Sequence, residues 1–211
     1  MATRRKTQIS SRKKPQQARS NELVAAILQA AVQVLEKEGA HRFTTARVAE
    51  KAGVSVGSVY QYFPNKASIL FRLQSDEWRQ TTELLNSILL DARLPPLERL
   101  RTLVHVFVRS ECEEAKMRTA LHDAAPLYRD APEAAEARAS GEHAVEQFMK
   151  EVLPRASTAT RELAGELIGT TMSEVGKDFS ESPRTATEIK TYSAAMGDMF
   201  CAYLKSLGAT T

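Results

Sequence analysis

The sequence predicts an all-α protein, and three features of its 211 residues support this prediction. Apolar residues recur at spacings of three and four through most of the chain, which is the periodicity of helices buried on one side. Glycine and proline, with 9 and 8 residues, fall mainly between these periodic segments. The alternation of polar and apolar residues that marks a half-buried strand does not extend over any useful length. We therefore expect helices joined by short turns.

The first predicted helix covers about residues 17–38. Its apolar stripe runs from Leu23 to Val34 at spacings of four, three and four. Gly39 follows the stripe and is typical of a helix C-terminus, because glycine readily adopts the backbone conformation that closes the last turn.

The most informative segment is residues 44–70, with the sequence TTARVAEKAGVSVGSVYQYFPNKASIL. It predicts two short helices at about 45–52 and 56–62, joined by a tight turn at Gly53. Ser55 precedes the second short helix and is a good N-cap. This arrangement, with a further helix directly behind it, is that of a helix-turn-helix.

The outward face of the second short helix carries Gly57, Ser58 and Gln61. Small residues allow a helix to enter the major groove of DNA closely, and Ser and Gln can hydrogen-bond to base edges. Lys66 is predicted in the first turn of the next helix, where the helix dipole is already positive. A phosphate at that helix end would account for the lysine, whereas a side chain bent into solvent is the alternative.

The fourth helix is predicted from Asn65 to about Asp91 and is apolar on two sides, so we expect it to connect two domains. Pro95 and Pro96 begin the next helix. Later helices are predicted at about 116–127, 132–153, 158–179 and 184–207. The expected domains are a basic flexible arm (1–19), a DNA-binding domain (20–66) and a helical effector-binding and dimerisation domain (67–211).

The charge is distributed unevenly along the chain. Residues 1–70 carry 12 Lys or Arg and 4 Asp or Glu, a net charge of +8, whereas residues 71–211 carry 17 and 22, a net charge of −5. A basic N-terminal part is typical of a protein that binds a polyanion at one end. The basic arm is either a solvated tail or a segment that contacts phosphates or the minor groove.

The N-terminal part of the chain resembles the DNA-binding domain of the TetR family of transcriptional regulators. The resemblance covers about residues 20–72, roughly a quarter of the chain. It is carried by residues of differing chemistry in a fixed order: Thr45, Val48, Ala49, Ala52–Ser55, Gly57–Tyr60, Tyr62–Pro64 and Lys66.

The resemblance implies which residues contact DNA. Phosphate contacts are implied for Thr45, Tyr60, Tyr62 and Lys66, and base contacts for Val56, Gly57, Ser58 and Gln61. Ser55, at the helix N-terminus, and Arg47, near the start of the preceding helix, complete the predicted DNA-binding set. Tyr62 stands where many relatives have His. Tyr60 could equally be a core aromatic residue with its hydroxyl outward.

The resemblance also implies a homodimer whose last two helices form a four-helix interface, which suits a palindromic operator. The sequence supports this independently, because Gly165, Gly169 and Gly176 share one face of the penultimate helix and indicate the close approach of another helix. The last helix adds apolar surface at Tyr192, Met196, Met199, Phe200 and Tyr203. Packing of these residues within one chain is the alternative.

A cavity for a small apolar or amphipathic effector is a further implication of the resemblance. The residues predicted near it are Trp78, Phe107, Met117, Leu121, His122, Phe148, Met149 and Met172. Each of them could instead belong to the ordinary core, and His122 could lie at the surface beside Asp123.

Catalytic motifs are missing from the sequence, which has no nucleophile elbow, phosphate-binding loop or dinucleotide fingerprint. His105 and Cys112 share a helix, but their separation of about 10.5 Å along it is too long for proton transfer. The histidines show no metal-ligand spacing. We therefore expect no enzyme activity, no metal and no cofactor.

Two further patterns place the protein in the cytoplasm. No apolar run approaches the roughly 18 residues of a membrane span, and no signal-peptide segment follows the basic start. The two cysteines indicate no disulfide framework. The sequence thus predicts a DNA-binding transcriptional regulator, a repressor released by an effector. The alternative is an architectural or division-associated DNA-binding protein that acts through protein partners without an effector.

Overall fold

A computed structural model describes residues 9–10, 18–128, 130, 132 and 142–209. Within these ranges the all-α prediction is confirmed, because they contain helices and no strand. The helices are α1 (Ala18–Arg42), α2 (Thr45–Ala52), α3 (Val56–Tyr62), α4 (Lys66–Leu89), α5 (Pro96–Glu113), α6 (Ala115–Ala124), α7 (Glu142–Val152), α8 (Thr158–Ser180) and α9 (Ala186–Ser206). None of these described helices is both long and apolar enough to cross a bilayer.

The helix boundaries follow the predicted ones closely. Gly39 has a φ of 72° and breaks the regular geometry of α1, after which the helix continues briefly to Arg42. A short 3-10 turn, Ala125–Leu127, follows α6. Of the helix predicted at 132–153, the structure describes the part from Glu142 onward, which is α7, and most of the earlier part lies outside the described residues. Most of the basic arm also lies outside them.

The chain divides into two compact units. The head unit draws its residues from Met1–Arg79 and Lys116–Arg138, and the body unit from Gln80–Ala115 and Ala139–Thr211. The division differs from the predicted domain boundaries, because the first part of α4 and nearly all of α6 belong to the head unit.

The core of the head unit joins α1, α2 and α3 to residues from α4 and α6. Its most buried residues include Ile27, Leu35, Val59 and Leu121, and Ile9 from the N-terminal arm is also buried there. Because α6 supplies part of this core, the head unit is larger than a three-helix domain.

Polar contacts attach the segment after α5 to the head unit. The Tyr128 hydroxyl donates to the Leu121 carbonyl at 3.0 Å and to Gln74 Oε1 at 3.2 Å. Burial raises the pKa of Tyr128 well above its ordinary value, so this hydroxyl remains a donor. An ion pair of 3.3 Å joins Arg118 to Glu77 of α4.

The body unit is built around α5, which packs against α7, α8 and α9. Val104, Val108, Phe148 and Leu204 lie in the apolar core that these helices enclose. A capping box at Thr185 and Glu188 begins α9.

Arginine side chains satisfy carbonyl groups at the ends of three helices. The last carbonyls of a helix have no partner within it, and a guanidinium group can supply several donors. The three bonds are Arg47 to the Arg42 carbonyl (2.9 Å), Arg99 to the Leu89 carbonyl (2.6 Å) and Arg184 to the Phe179 carbonyl (2.8 Å). Arg99 is almost fully buried and also pairs with Glu151. These arginines therefore fix the ends of α1, α4 and α8.

Candidate functional site

The turn between α2 and α3 has the predicted local chemistry. Thr44 caps α2 by accepting the Arg47 amide, at 3.3 Å. Gly53 ends α2 in the left-handed conformation, with φ 67° and ψ 30°, which favours glycine. Ser55 caps α3, accepting the Ser58 amide at 3.0 Å. The two helices are thus held by caps that belong to the segment itself.

One face of α3 is exposed although it carries two large apolar side chains. Val56 is 40% and Tyr60 42% exposed, and Gly57 and Gln61 are exposed beside them. On the opposite side Val59 is fully buried in the core of the head unit. The helix is therefore firmly seated while its outward face is available to a partner.

Gly57 has no role in the fold that requires glycine. A Cβ added to it would make only an ordinary contact of 3.7 Å, with the Ser55 hydroxyl, and its backbone does not have a positive φ. A small residue at this exposed position suits the close approach of a large external surface.

The N-termini of the head helices keep their positive ends uncompensated by acidic side chains. The first turns of α2 and α4 contain no Asp or Glu. Lys66 is the first residue of α4, and Asn65 before it accepts the Ser68 amide at 2.9 Å. Amide groups and an ammonium group at one helix end favour a bound anion.

The predicted DNA-binding residues differ in how they are placed. Ser55, Val56, Gly57, Tyr60 and Gln61 are exposed, and Ser58 and Lys66 are half-buried.

Thr45, Tyr62 and Arg47 have surroundings that the sequence did not indicate. Thr45 and Tyr62 are each only 7% exposed, because both belong to the core side of their helices. Arg47 is half-buried and paired with Glu38, in addition to its bond to the end of α1. Its DNA contact stays a prediction, and it would compete with this ion pair.

A cavity of about 110 Å³ lies within the body unit. Its wall is almost wholly apolar and is formed by four helices. The lining residues are Thr82, Leu85, Asn86 and Leu89 of α4, Leu100 and Leu103 of α5, Val145, Phe148 and Met149 of α7, and Gly165, Ile168, Gly169 and Met172 of α8.

The predicted effector residues are divided by the structure. Phe148, Met149 and Met172 line the cavity. Phe107 lies in the same core but does not line the cavity. It packs against Gly176, one turn of α8 beyond Met172.

The other four predicted effector residues belong to the head unit and do not line this cavity, so their role at an effector stays a prediction. Trp78 and Met117 are half-buried there and Leu121 is buried in its core, because α6 packs in the head unit. His122 is exposed, as the alternative interpretation had it. The sequence did not indicate that aliphatic residues of α4 and α5 line the cavity, because their apolar stripes are equally typical of an ordinary core.

A wider depression of about 830 Å³ lies on the surface of the head unit. Its wall alternates acidic and basic side chains, including Lys37, Glu38, Glu50 and Lys51. Because these charges oppose one another, the depression favours no ligand of a single charge, and we regard it as solvated surface.

The glycine stripe of α8 requires a correction. A Cβ at Gly176 would lie 2.9 Å from Phe107 Cε1, and one at Gly165 would lie 3.2 Å from Val145 Cγ1. The close neighbours of both glycines are therefore side chains from other helices of the same chain, and not from a partner. Gly169 lines the cavity instead.

The aromatic and apolar residues predicted on the last helix are also mainly internal. Met196 and Phe200 are about 5% exposed and lie in the body core. Tyr192 is half-buried and stacks on Phe179 with ring centroids 4.0 Å apart. Tyr203 is half-buried as well. The alternative, packing within one chain, describes these residues better than the predicted interface does.

A different face of α8 and α9 exposes large apolar side chains. Leu163 and Leu167 of α8 are 61% and 48% exposed, and Met199 of α9 is 53% exposed. At about 100° per residue, the two leucines lie opposite Gly165 on α8. Their spacing of four was visible in the sequence, but the glycines drew the prediction to the other side. We call Leu163, Leu167 and Met199 the outer apolar face.

The fold and the α3 surface define the class of protein, a helix-turn-helix regulator that binds DNA. Two family models match the chain: "Bacterial regulatory proteins, tetR family" over residues 27–73, and "Tetracyclin repressor-like, C-terminal domain" over residues 95–207. The second alone covers more than half of the chain. The protein belongs to the TetR family of transcriptional regulators.

Curated relatives are similar over part of their length. The nucleoid occlusion factor SlmA of Vibrio campbellii is 40% identical over 83 residues, which are 39% of this chain and 42% of that protein. The fatty acid metabolism regulator protein of Bacillus subtilis is 39% identical over 57 residues, or 27% and 29% of the two chains. The matches thus span less than half of either relative.

Solved structures share the fold over nearly the whole chain. The transcriptional regulator FadR from Bacillus subtilis, in complex with stearoyl-CoA, has a TM-score of 0.61 at 18% identity. The alignment covers 84% of this chain and 97% of that chain. At this identity the likeness shows the fold alone.

Proposed function

We propose that this TetR-family protein is a dimeric repressor that leaves a palindromic operator when a small apolar effector fills the cavity of the body unit. The exposed face of α3 is the observation that carries the proposal. Val56 and Tyr60 expose apolar surface. Between them, Gly57 has no side chain, although the fold has room for one there. A major groove would cover all three. Acting on DNA places the protein in the cytoplasm.

The roles proposed on DNA follow from side-chain chemistry. Gln61 can form two hydrogen bonds to an adenine edge, so it would contribute to base preference. Lys66 would hold a phosphate at the N-terminus of α4, which contributes affinity without sequence preference. Tyr60 can donate its hydroxyl to a second phosphate.

Dimerisation is proposed through the outer apolar face, not through the glycine stripe. Leu163, Leu167 and Met199 are the large apolar side chains that these two helices leave in water. A two-fold contact would bury them against their own copies. The two heads would then occupy half-sites roughly 34–36 Å apart.

Effector control is proposed to act through α4. This helix begins at Lys66 and supplies Leu85, Asn86 and Leu89 to the cavity wall. A ligand that fits one arrangement of α4 better than another changes DNA affinity by the ratio of its affinities for the two arrangements.

Selection of genomic fragments by the purified protein tests the proposal. We expect one palindrome to be enriched, and Gln61→Ala to keep DNA binding while losing preference at one base pair of each half-site. Gln29→Ala, at an exposed position of α1, is the matched control and should enrich the wild-type sequence. An enrichment identical for wild type and Gln61→Ala would contradict the role of this residue.

The second candidate is an architectural or division-associated DNA-binding protein that acts through protein partners without an effector, and the partial similarity to the nucleoid occlusion factor SlmA is the observation that brings it into consideration. The two candidates differ in one measurable property. A ligand that stabilises the protein in thermal unfolding and also weakens operator binding supports the repressor. Operator affinity that no bound ligand changes supports the second candidate.

A further inference from the structure

The cavity of the body unit is selective in its chemistry. Among the residues that the structure describes, no charged side chain lines it. Its wall consists of aliphatic, Met and Phe side chains, apart from Thr82 and Asn86. An ion placed against this wall would lose its hydration without gaining a partner, whereas an alkyl chain would gain apolar contact.

The two polar lining residues lie one turn apart on α4, at positions i and i+4. Both are half-buried, and neither side chain has a hydrogen-bond partner within the described part of the chain. An amide and a hydroxyl group are neutral donors and acceptors. They can bind an uncharged polar group on a ligand whose remainder is apolar.

The two glycines of the wall distinguish a closed and an open end. At Gly165 the wall is closed, because Val145 and Met149 lie within 3.6 Å of the position of a Cβ. At Gly169 a Cβ would meet no atom within 4 Å, and the residue is exposed. The entrance to the cavity is therefore at Gly169, one turn of α8 from the closed end.

Arg99 lies beside Phe148 but does not itself line the cavity. Its Nε is buried without a hydrogen-bond partner among the described residues, whereas its two terminal nitrogens have partners. Its guanidinium donates to the Leu89 carbonyl and pairs with Glu151. It lies 5.7 Å from the centroid of the Phe148 ring, and Phe148, not Arg99, forms the cavity wall. The arginine is thus not placed to bind a ligand carboxylate.

We propose that the effector presents an aliphatic chain that carries an uncharged hydrogen-bonding group, such as an alcohol, ester, thioester or amide. The inference rests on the proposed function. The chain fills the apolar cavity, and the polar group meets Thr82 and Asn86. A volume of 110 Å³ accommodates about four groups of the size of water or methylene, at roughly 30 Å³ each.

Binding of n-alkanols to the full-length protein without DNA tests the ligand class. We expect affinity to rise about fourfold for each added methylene until the cavity is filled, at about three carbons beside the hydroxyl group. Pentan-1-ol should bind about tenfold more tightly than pentanoate or pentylammonium, because the wall has no charged partner. Ligand-observed NMR or calorimetry measures these affinities. Equal or tighter binding of either ion would overturn the proposal.

Variants at the entrance test the location. Gly169→Leu should abolish pentan-1-ol binding, because its side chain would occupy the entrance. Gly169→Ala removes the glycine but adds only a Cβ, and Ser173→Leu adds the same bulk at an exposed position one turn along α8. Both controls should bind as wild type does. Wild-type binding by Gly169→Leu would place the ligand elsewhere and overturn the assignment.

The same samples separate this inference from the proposed function. Operator affinity is measured with and without saturating pentan-1-ol. Binding with the expected preference, but with operator affinity unchanged, supports the ligand class and contradicts effector control. Release of the operator by pentanoate, with binding as tight as that of pentan-1-ol, supports effector control and contradicts the ligand class.

Discussion

Glycines in the head unit and the body unit serve opposite purposes. At Gly57 a Cβ would make one ordinary contact of 3.7 Å, so the fold tolerates a larger residue there. At Gly176 a Cβ would lie 2.9 Å from Phe107 Cε1, so the fold itself requires the glycine. A small residue therefore indicates an external partner only where nothing inside the chain explains it.

Helix N-termini show a second contrast. In the head unit α2 begins with a neutral cap, Thr44, and has no acidic residue in its first turn. In the body unit α9 begins with Thr185 and the carboxylate of Glu188. An acidic side chain stabilises a helix start but would repel a phosphate there. The start of α9 uses this stabilisation, whereas the starts of α2 and α4 in the head unit remain positive.

The largest effect is expected from the outer apolar face. Leu163→Asp combined with Leu167→Asp should give a monomer, because charged residues would have to be buried in the proposed interface. Affinity for a palindrome should fall by about 10²–10⁴ as the second head is lost. Light scattering and operator binding measure the two effects. Ser173→Asp, exposed on another side of α8, should remain dimeric; a stable dimer of the double variant would refute the proposed interface.

Substitution of Gly57 should separate binding from folding. Gly57→Leu should lower operator affinity by about 10–100-fold, since a good base contact is worth about 1–3 kcal/mol. Its Tm should not fall below that of the wild type, because the position is exposed and leucine favours a helix more than glycine does. Ala26→Leu adds similar bulk at an exposed site of α1 and should change neither property. Fluorescence anisotropy and thermal unfolding provide the two values, and unaltered affinity would remove Gly57 from the interface.

Gly176 should show the reverse behaviour. Gly176→Leu should lower the free energy of unfolding by about 1–3 kcal/mol, because its side chain overlaps Phe107 in a packed core. Operator affinity per folded dimer should not change. Ser173→Leu is the matched control, and chemical denaturation is the measurement. If Gly176→Leu were as stable as this control, the close packing of α5 and α8 would be wrong.

Loss of the Lys66 ammonium should affect all DNA sequences alike. Lys66→Ala should flatten the dependence of log affinity on log salt by about 0.9 per head, which corresponds to one phosphate contact. Lys66→Arg retains the charge and should keep the wild-type slope. Titrations at several salt concentrations give the slopes. An unchanged slope for Lys66→Ala would show that no phosphate lies at the start of α4.

The smallest effect concerns the cap of α9. The Thr185 amide and hydroxyl hold the pKa of Glu188 below its ordinary value of 4.5. A lowered pKa in the folded state means that the stabilisation is present above pH 4.5 and is lost as the pH falls through the lowered value. Between about pH 5.5 and 3.5, the Tm of Glu188→Gln should therefore fall by less than the Tm of the wild type does. Parallel losses would remove the carboxylate from the cap.

Local sequence chemistry was sufficient for much of the fold. Gly53 and Ser55 act on neighbouring backbone groups, so their positions alone located the turn between α2 and α3. The membership of α6 in the head unit depends on contacts between distant segments, such as the bond from Tyr128 to Gln74. No pattern within α6 specifies which apolar surface it covers.

The candidate sites were predictable to different degrees. The exposure of Gly57 and Gln61 on α3 was predictable, because a helix with a buried Val59 must turn these residues outward. The glycine stripe was ambiguous, since it indicates a close neighbour in the same chain and one in a partner equally well, and the sequence does not distinguish them. Leu163 and Leu167 could have been recognised from their spacing on the opposite face of the same helix.

Footprinting of the purified dimer on its selected operator tests the central claim, that α3 of each head enters a major groove. Two protected half-sites are expected, with centres about 10–10.5 base pairs apart or a multiple of that spacing. Protection by Gly57→Leu should require about 10–100-fold more protein. Failure to retain any duplex selectively at any ionic strength, or protection unaltered by Gly57→Leu, would contradict the claim.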